Sequence, residues 1–302
     1  MSEEKNNLAY NDSDNAIHRV PDNQRKGFIS IAAVAAGFCI CMSGLYTGAA
    51  IAFGLSFKNA IIAAVIGNVI LSLYGGAIGA AGAKEGVASA MLSRHSFGMQ
   101  GSKFVGVLLA VVMLGWFAVQ VGFFGTTMQA LFPGGGFITS RYVAAAWGGI
   151  LMMFTAYYGY KGLNILSYIA VPAVGILAVI GMVFAVKGAG GIEILADVVP
   201  SEPMTVGAAI VAVVGSFAGG ASAQADITRY ARTPGVAWGG TVFGYLIANS
   251  FIVLAGYVVT VATGEGELPV AFIAMGMGAA ALIILILAQW TTNDNNLYTA
   301  SL

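Results

Sequence analysis

Charged residues are scarce in this sequence. Only 9% of its 302 residues are Asp, Glu, Lys or Arg, whereas 58% are hydrophobic and the mean hydropathy is +0.85. Soluble domains carry about a quarter charged residues, so this scarcity excludes an ordinary water-soluble domain and predicts a chain solvated by lipid. The charges also cancel, with 13 of each sign. Without a basic excess, we expect no nucleic-acid partner.

Cysteine and histidine are equally rare, with two of each. Cys39 and Cys41 lie two positions apart in one apolar run, where helical geometry directs their side chains away from each other. We interpret both as packing residues rather than as a disulfide or a metal pair. No His/Cys/Glu cluster has metal-ligand spacing, and no nucleophile has a nearby base. We therefore expect neither an enzyme nor a bound cofactor.

Long apolar runs, in contrast, are abundant. Runs of about 20 apolar residues predict membrane-spanning helices, and seven are present, with an eighth that starts near Ala271 and continues to Leu302. Residues 1–27 contain no apolar core, so we expect a cytoplasmic N-terminal tail without a signal peptide, followed by a transmembrane domain over 28–302. Spans 1 to 7 are predicted at 28–52, 60–82, 104–131, 142–160, 163–186, 206–228 and 237–263.

Basic residues are distributed unevenly between the predicted loops. With the N-terminus inside, the outer loops contain three of the 13 Lys and Arg residues, Lys58, Arg141 and Lys187, and the cytoplasmic segments contain the other ten. Positive residues are retained on the cytoplasmic side of a membrane. We therefore expect a multi-pass protein of the cytoplasmic (inner) membrane with a cytoplasmic N-terminus.

Two spans contain small-residue stretches rich in glycine. These are GSFAGGASA (215–223) in span 6 and CMSGLYTGAA (41–50), with Gly44 and Gly48, in span 1. Glycines of this density weaken a helix, so we expect both spans to be broken there. Two interrupted helices about 170 residues apart indicate the two repeats of a transporter, with a site at the bilayer midplane.

A broken helix in lipid frees backbone groups, and each costs several kcal/mol if it stays without a partner. A substrate and a coupling cation can satisfy these groups. Carbonyls released near Gly37 and Ile40 could coordinate a cation. Donors near Ser216 and Gly219 could pair with a polar ligand.

Span 3 contains a tryptophan and a glutamine four residues apart, Trp116 and Gln120, which therefore share one face of the helix. A stacking ring beside an amide that both donates and accepts is suited to a flat, neutral heterocycle. Phe217 could supply the opposite wall. The alternative is a tryptophan facing lipid and a glutamine that bonds between helices.

Span 8 contains six consecutive polar residues, from Thr291 to Asn296, which are costly inside a membrane and indicate a function. The oxygens of Thr291 and Thr292 suit a hard cation such as Na⁺, and Asn293 adds an amide for ligand recognition. Asp294 is the main ionisable group at membrane depth. Because no histidine lies there, we expect Na⁺ rather than proton coupling. The alternative is a helix end that emerges into the cytoplasm.

Three motifs resemble the purine/cytosine permease family of nucleobase–cation symporters, and within it the bacterial cytosine permeases. They are GWF (115–117), VVGSFAGGASAQADITRYAR (213–232) and QWTTNDNNLYTASL (289–302). The resemblance implies an all-α polytopic membrane protein with the leucine-transporter-like five-helix inverted repeat, in which helices 1 and 6 are broken. The resemblance also implies about twelve helices, so we expect a truncated chain with an incomplete second repeat.

The resemblance also implies site residues. The base would lie between Trp116 and Phe217, with cytosine as the default and a purine, hydantoin or allantoin as alternatives, because Met113 stands where cytosine permeases have glutamine. The implied substrate-binding residues are Cys41, Met113, Trp116, Gln120, Ser216, Phe217, Gly219 and Asn293. The implied Na⁺ ligands are the carbonyls of Gly37, Ile40 and Ala288 and the hydroxyls of Thr291 and Thr292.

The function predicted from these features is cation-coupled uptake of a nucleobase by alternating access. Its expected partners are the small-molecule nucleobase and the lipid bilayer, without an obligate protein partner. A channel or receptor-like membrane protein is the rival from another class. It would need a continuous polar pore stripe or a signalling domain, and neither is visible in the sequence.

Overall fold

The structure is a computed structural model that describes Asn15 and residues 17–196 and 198–302, without the side chains of 279–282, 284 and 285. Most of the predicted N-terminal tail, residues 1–14 and 16, lies outside the described residues. Thirteen α-helices are found in the described ranges. In chain order they are α1 (Phe28–Cys39), α2 (Met42–Ala52), α3 (Phe57–Glu85), α4 (Ser89–Leu92), α5 (Arg94–Leu131), α6 (Arg141–Ala156), α7 (Gly159–Gly188), α8 (Val206–Ser222), α9 (Gln224–Thr228), α10 (Pro234–Val242), α11 (Ser250–Thr263), α12 (Leu268–Ala274) and α13 (Gly278–Ser301).

The long helices follow the predicted apolar runs. Four of them, α3, α5, α7 and the continuous stretch Pro234–Thr263, are long and apolar enough to cross a membrane. The last of these contains a π-helical segment, Phe243–Asn249, that joins α10 to α11. The bent pair of α1 and α2 makes a fifth candidate span. Predicted span 8 is wrong at its start, because α12 ends at Ala274 and a turn separates it from α13.

Predicted span 1 is broken, but not at its glycines. The break lies at Ile40 and Cys41, and the axes of α1 and α2 differ by 54°. A Cβ atom on Gly48 would lie 1.9 Å from the carbonyl oxygen of Val253, and one on Gly44 would lie 2.4 Å from a methyl group of Ile252. These two glycines therefore allow α2 to pack directly against α11, and the prediction that they mark the break is wrong.

Predicted span 6 is also interrupted later than expected. The stretch 215–222 is helical, and the interruption lies at Ala223, between α8 and α9. The prediction that GSFAGGASA (215–223) unwinds at its glycines is therefore wrong, but span 6 is broken as predicted, at the last residue of this stretch, Ala223. The glycines of the stretch allow close approach instead, since a Cβ atom on Gly220 would lie 2.8 Å from the Phe38 ring. In lipid a continuous helix keeps its backbone groups bonded, and small residues at a helix interface favour tight packing.

The described part of the predicted tail is folded against the helices. Val20 is completely buried, and its N–H donates to the carbonyl of Gly86 over 2.8 Å. The Arg25 guanidinium donates to the carbonyl of Ala83 over 2.8 Å, and Lys26 forms a parallel bridge with Ala231. This segment therefore ties the end of α3 to the residues that follow α9.

Candidate functional site

A small cavity lies where α1, α2, α5, α8 and α13 meet. Its volume is about 10 Å³, which is room for about one water molecule. A heterocyclic ring is larger than this, so binding one requires the lining side chains to move apart. The lining residues are Phe38, Ser43, Met113, Trp116, Ser216, Phe217, Gly220 and Asn296.

Aromatic rings form the walls of this cavity. Trp116 of α5 and Phe217 of α8, which the sequence predicts as the two walls of the base site, both line it. Phe217 is held edge-on by Phe38 at 5.5 Å and by Tyr245 at 5.9 Å between ring centroids. A Cβ atom on Gly219 would lie 3.6 Å from the Trp116 indole nitrogen, so Gly219 lies beside that ring. The structure therefore brings the predicted ring pair together.

Polar side chains on the lining are few. The Ser216 hydroxyl donates to the carbonyl of Val213 over 2.7 Å, which leaves its oxygen lone pairs able to accept a bond. Ser43 lies 2.9 Å from the Cys41 sulfur, oxygen to sulfur, so Cys41 stands behind Ser43 rather than on the lining. Ser43 is a lining residue that the sequence analysis missed, because its neighbouring glycines were interpreted as the break.

The two amides predicted to bind the base, those of Asn293 and Gln120, both lie outside the cavity lining. The Asn293 amide nitrogen is 3.3 Å from the Met152 sulfur and 3.5 Å from the Phe117 carbonyl, so it is directed toward α6 and α5. The amide on the lining is Asn296, whose nitrogen donates to the Asn293 oxygen over 3.2 Å. Gln120 is completely buried outside the lining, and its amide lies beside the Cys41 thiol rather than against a nitrogen or oxygen partner among the described residues.

One of the two adjacent threonines of α13 contacts the end of α1, next to the break between α1 and α2. The Thr292 hydroxyl is 3.1 Å from the carbonyl oxygen of Phe38 and 3.0 Å from that of Ala288. The Thr291 hydroxyl lies within its own helix, 3.0 Å from the Leu287 carbonyl and 3.3 Å from the Ala288 carbonyl. Thr292 therefore bridges α13 to the end of α1, whereas Thr291 does not.

Helix α1 ends with carbonyl groups that lack the usual helical donors. Within the described residues, no hydrogen bond is formed to the carbonyls of Gly37 and Ile40 across the break. A Cβ atom on Gly37 would lie 2.5 Å from the hydroxyl oxygen of Ser167 on α7. This hydroxyl is buried and has no hydrogen-bond partner among the described residues. Carbonyl and hydroxyl oxygens are the ligands that a hard cation prefers. The residues predicted for Na⁺ thus supply chemistry that fits it.

Nearly all of the described sequence matches a known family. The family described as "Permease for cytosine/purines, uracil, thiamine, allantoin" matches residues 19–302. The cytosine permeases of Escherichia coli strain K12 and of Escherichia coli O157:H7 are each 34% identical to this chain over 283 residues, which is 94% of this chain and 66% of theirs. The chain therefore spans about two thirds of the length of the curated relatives it matches.

Two solved structures have a similar fold. One is Mhp1, a nucleobase-cation-symport-1 family transporter, in a closed conformation with bromovinylhydantoin bound, with a TM-score of 0.82 and 19% identity over 93% of this chain and 66% of that chain. The inward-facing conformation of Mhp1 gives a TM-score of 0.79 and 20% identity over 96% of this chain and 66% of that chain. This likeness confirms the predicted fold class, an all-helical membrane protein of the leucine-transporter-like type.

Proposed function

This chain belongs to the family of permeases for cytosine/purines, uracil, thiamine and allantoin, and on that premise we propose that it is a secondary transporter that moves a nucleobase together with Na⁺. It is an integral membrane protein. We place it in the inner membrane with its N-terminus in the cytoplasm, because ten of its 13 basic residues lie in the segments assigned to that side.

The observation that supports coupling most directly is the double role of Phe38. Its ring lines the cavity and packs against Phe217, while its carbonyl oxygen lies 3.1 Å from the Thr292 hydroxyl. A base that enters between Trp116 and Phe217 must displace the Phe38 ring or be stacked near it. The same residue therefore connects the base site to the oxygen atoms proposed for Na⁺.

Coupling follows from this connection. If base and cation both stabilise one arrangement of the end of α1, each raises the affinity of the other by the same factor. The proposed cation ligands are the carbonyls of Gly37, Ile40 and Ala288 with the hydroxyls of Thr291 and Thr292. The released carbonyls at the C-terminal end of α1 also carry partial negative charge, which favours a cation there.

Cytosine is the proposed substrate, with purines, hydantoin and allantoin as alternatives. Trp116 and Phe217 provide stacking for any of these rings, and the choice between them depends on the amides and on Met113. Met113 is completely buried on the cavity lining and offers no strong hydrogen bond to a base. The proposal for cytosine therefore depends on Gln120 and on the amides of α13.

Uptake by the reconstituted chain tests this function. Proteoliposomes containing the 302-residue chain are given radiolabelled cytosine, adenine, uracil or hydantoin, each with Na⁺ and with choline outside. We expect saturable accumulation of one of these compounds that Na⁺ stimulates, and little accumulation by the Trp116→Ala variant. Equal uptake in choline would contradict Na⁺ coupling. Ion flux without uptake of any base would favour a channel instead.

A further inference from the structure

Two glutamines are buried at the interface of α5 and α13. Gln120 and Gln289 are both completely buried; the amide nitrogen and oxygen of Gln289 lack a partner among the described residues, whereas the Gln120 amide lies beside the Cys41 thiol. A buried amide without a partner destabilises the folded state. Buried polar atoms in folded proteins are almost always bonded, so each exception needs an explanation such as a bound ligand.

Both glutamines stand on the cavity side of their helices. Gln120 is four residues after Trp116 on α5, so the two share a face and lie about 6 Å apart along the helix axis. Gln289 is seven residues before Asn296 on α13, which is about two turns along the same face. Trp116 and Asn296 both line the cavity. The amides therefore lie beyond the cavity, one on its α5 side and the other on its α13 side.

The contacts between α5 and α13 place the two amides at one level. Asn293 of α13 meets the carbonyl of Phe117 on α5. Ile286, two turns earlier on α13, packs against the cluster that contains Phe124 and Met128, later on α5. The helices thus run antiparallel, and Gln289, one turn before Asn293, lies at the level one turn after Phe117. That is the level of Gln120.

Aromatic rings cover the space beyond this level. Tyr46 of α2 stacks on Phe123 of α5 with ring centroids 4.5 Å apart, and Phe123 follows Gln120 by three residues. The Tyr46 hydroxyl donates to Glu267 over 3.1 Å. The Tyr46–Phe123 ring pair therefore lies about one turn beyond Gln120 along α5, on the side away from Trp116.

We propose that Gln289 is a further substrate-recognition residue, which acts with Gln120 to bond the donor–acceptor edge of a neutral heterocycle stacked at Trp116. The inference rests on the proposed function and extends it to a residue that lies outside the predicted set. A carboxamide supplies two donors and two acceptor lone pairs, so two amides at one level of neighbouring helices complement a ring edge that alternates N–H and C=O groups. Replacing one amide leaves the matching ligand groups without partners.

Ligand titration of the purified chain tests the inference. The dissociation constants of cytosine, uracil, adenine and hydantoin are measured in Na⁺ for wild type, Gln289→Met, Gln120→Met and Trp116→Ala. Gln129→Met is the matched control, because Gln129 is an exposed glutamine of α5. We expect Gln289→Met to weaken the preferred ligand at least tenfold and to change the ratios between ligands. Gln129→Met is expected to change neither.

Thermal unfolding of the same variants separates recognition from folding. Methionine removes an amide that has no partner, so Gln289→Met is expected to keep or raise the unfolding temperature. The dissociation constant describes only the folded protein. Partial unfolding of a variant therefore lowers the amplitude of the titration but leaves its dissociation constant unchanged. If wild type and Trp116→Ala behave as proposed but Gln289→Met keeps every dissociation constant, this inference alone is overturned. If wild type binds none of the four compounds, the proposed function fails with it.

Discussion

The two interrupted spans of this protein differ in what their interruptions supply. Between α1 and α2 the chain bends by 54°, and carbonyl groups at the end of α1 are left without helical donors. Between α8 and α9 only Ala223 lies outside the helices, and its N–H bonds to the carbonyls of Gly219 and Gly220 over 3.1 Å each. The first interruption exposes backbone acceptors, whereas the second leaves the backbone largely bonded.

This difference assigns a separate role to each span. Ser216 and Phe217, which line the cavity, belong to the continuous part of α8, so α8 offers side chains to a ligand. The end of α1 offers carbonyl oxygens, which Thr292 of α13 meets. We therefore expect changes at the first break to act on the cation and changes at α8 to act on the base. Four predictions test the packing at the first break and the separate sites of base and cation.

The largest effect is expected on folding, from glycines near the first break. Gly48→Ala places a Cβ atom 1.9 Å from the backbone of α11, whereas Gly219→Ala meets the side chain of Val112 at 2.9 Å, and Gly215→Ala meets nothing within 4 Å. Backbone atoms cannot move aside as side chains can, so Gly48→Ala is expected to cost about 3 kcal/mol or more. In thermal unfolding in detergent, Gly215→Ala should be the most stable of the three variants, Gly219→Ala should be intermediate, and Gly48→Ala should be the least stable. Equal stability of Gly48→Ala and Gly215→Ala would contradict the packing of α2 on α11.

The second effect is on binding of the base. Trp116→Ala is expected to weaken base binding by roughly 1–3 kcal/mol, the range found when an aromatic ring that stacks on a base is removed. Phe217→Ala should behave similarly, and both should keep the Na⁺ stimulation of whatever binding remains. Isothermal titration in Na⁺ and in choline measures this. Trp147→Ala is the control, since Trp147 bonds to the Ile138 carbonyl and lies outside the cavity lining. Equal affinities for Trp116→Ala and Trp147→Ala would remove Trp116 from the site.

The smallest effect concerns the choice of base. Met113 lines the cavity at the position where cytosine permeases have glutamine, so Met113→Gln adds an amide next to the ring. We expect the affinity for cytosine to rise relative to hydantoin by several-fold, because the amide can bond the polar edge of cytosine. Competition binding with both ligands measures the ratio, and Met128→Gln, outside the cavity lining, is the control. An unchanged ratio would show that Met113 does not determine specificity.

Much of this architecture could be predicted from the sequence. The apolar runs located the long helices, because lipid requires about 20 apolar residues per crossing, although α5 starts at Arg94, well before predicted span 3, and α13 starts only at Gly278. The aromatic pair of Trp116 and Phe217 followed from spacing and resemblance, and both residues line one cavity. The polar run of α13 likewise identified the helix that meets the break in span 1.

The positions of the breaks could not be predicted from glycine content. In a membrane a glycine either weakens a helix or admits a neighbouring helix, and only the tertiary contacts decide between these roles. Gly48 packs against the backbone of α11, whose residues lie more than 200 positions later in the chain.

Tertiary contacts also explain why the sequence indicated Asn293 as the ligand amide. In the structure Asn293 is directed to Met152, and Asn296 lies on the cavity lining. Helical rotation decides which of two neighbouring amides faces the cavity.

The most direct test of the account is Na⁺-dependent base binding by the threonine variants of α13. Substrate affinity is measured by titration in Na⁺ and in choline for wild type, Thr291→Ala, Thr292→Ala and the double variant. Because Thr292 bridges α13 to the Phe38 carbonyl and Thr291 bonds within its own helix, Thr292→Ala should lose more of the Na⁺ enhancement than Thr291→Ala. The double variant should lose all of it and keep weak binding in choline. A double variant that retains the full Na⁺ enhancement would contradict a cation site at the first break.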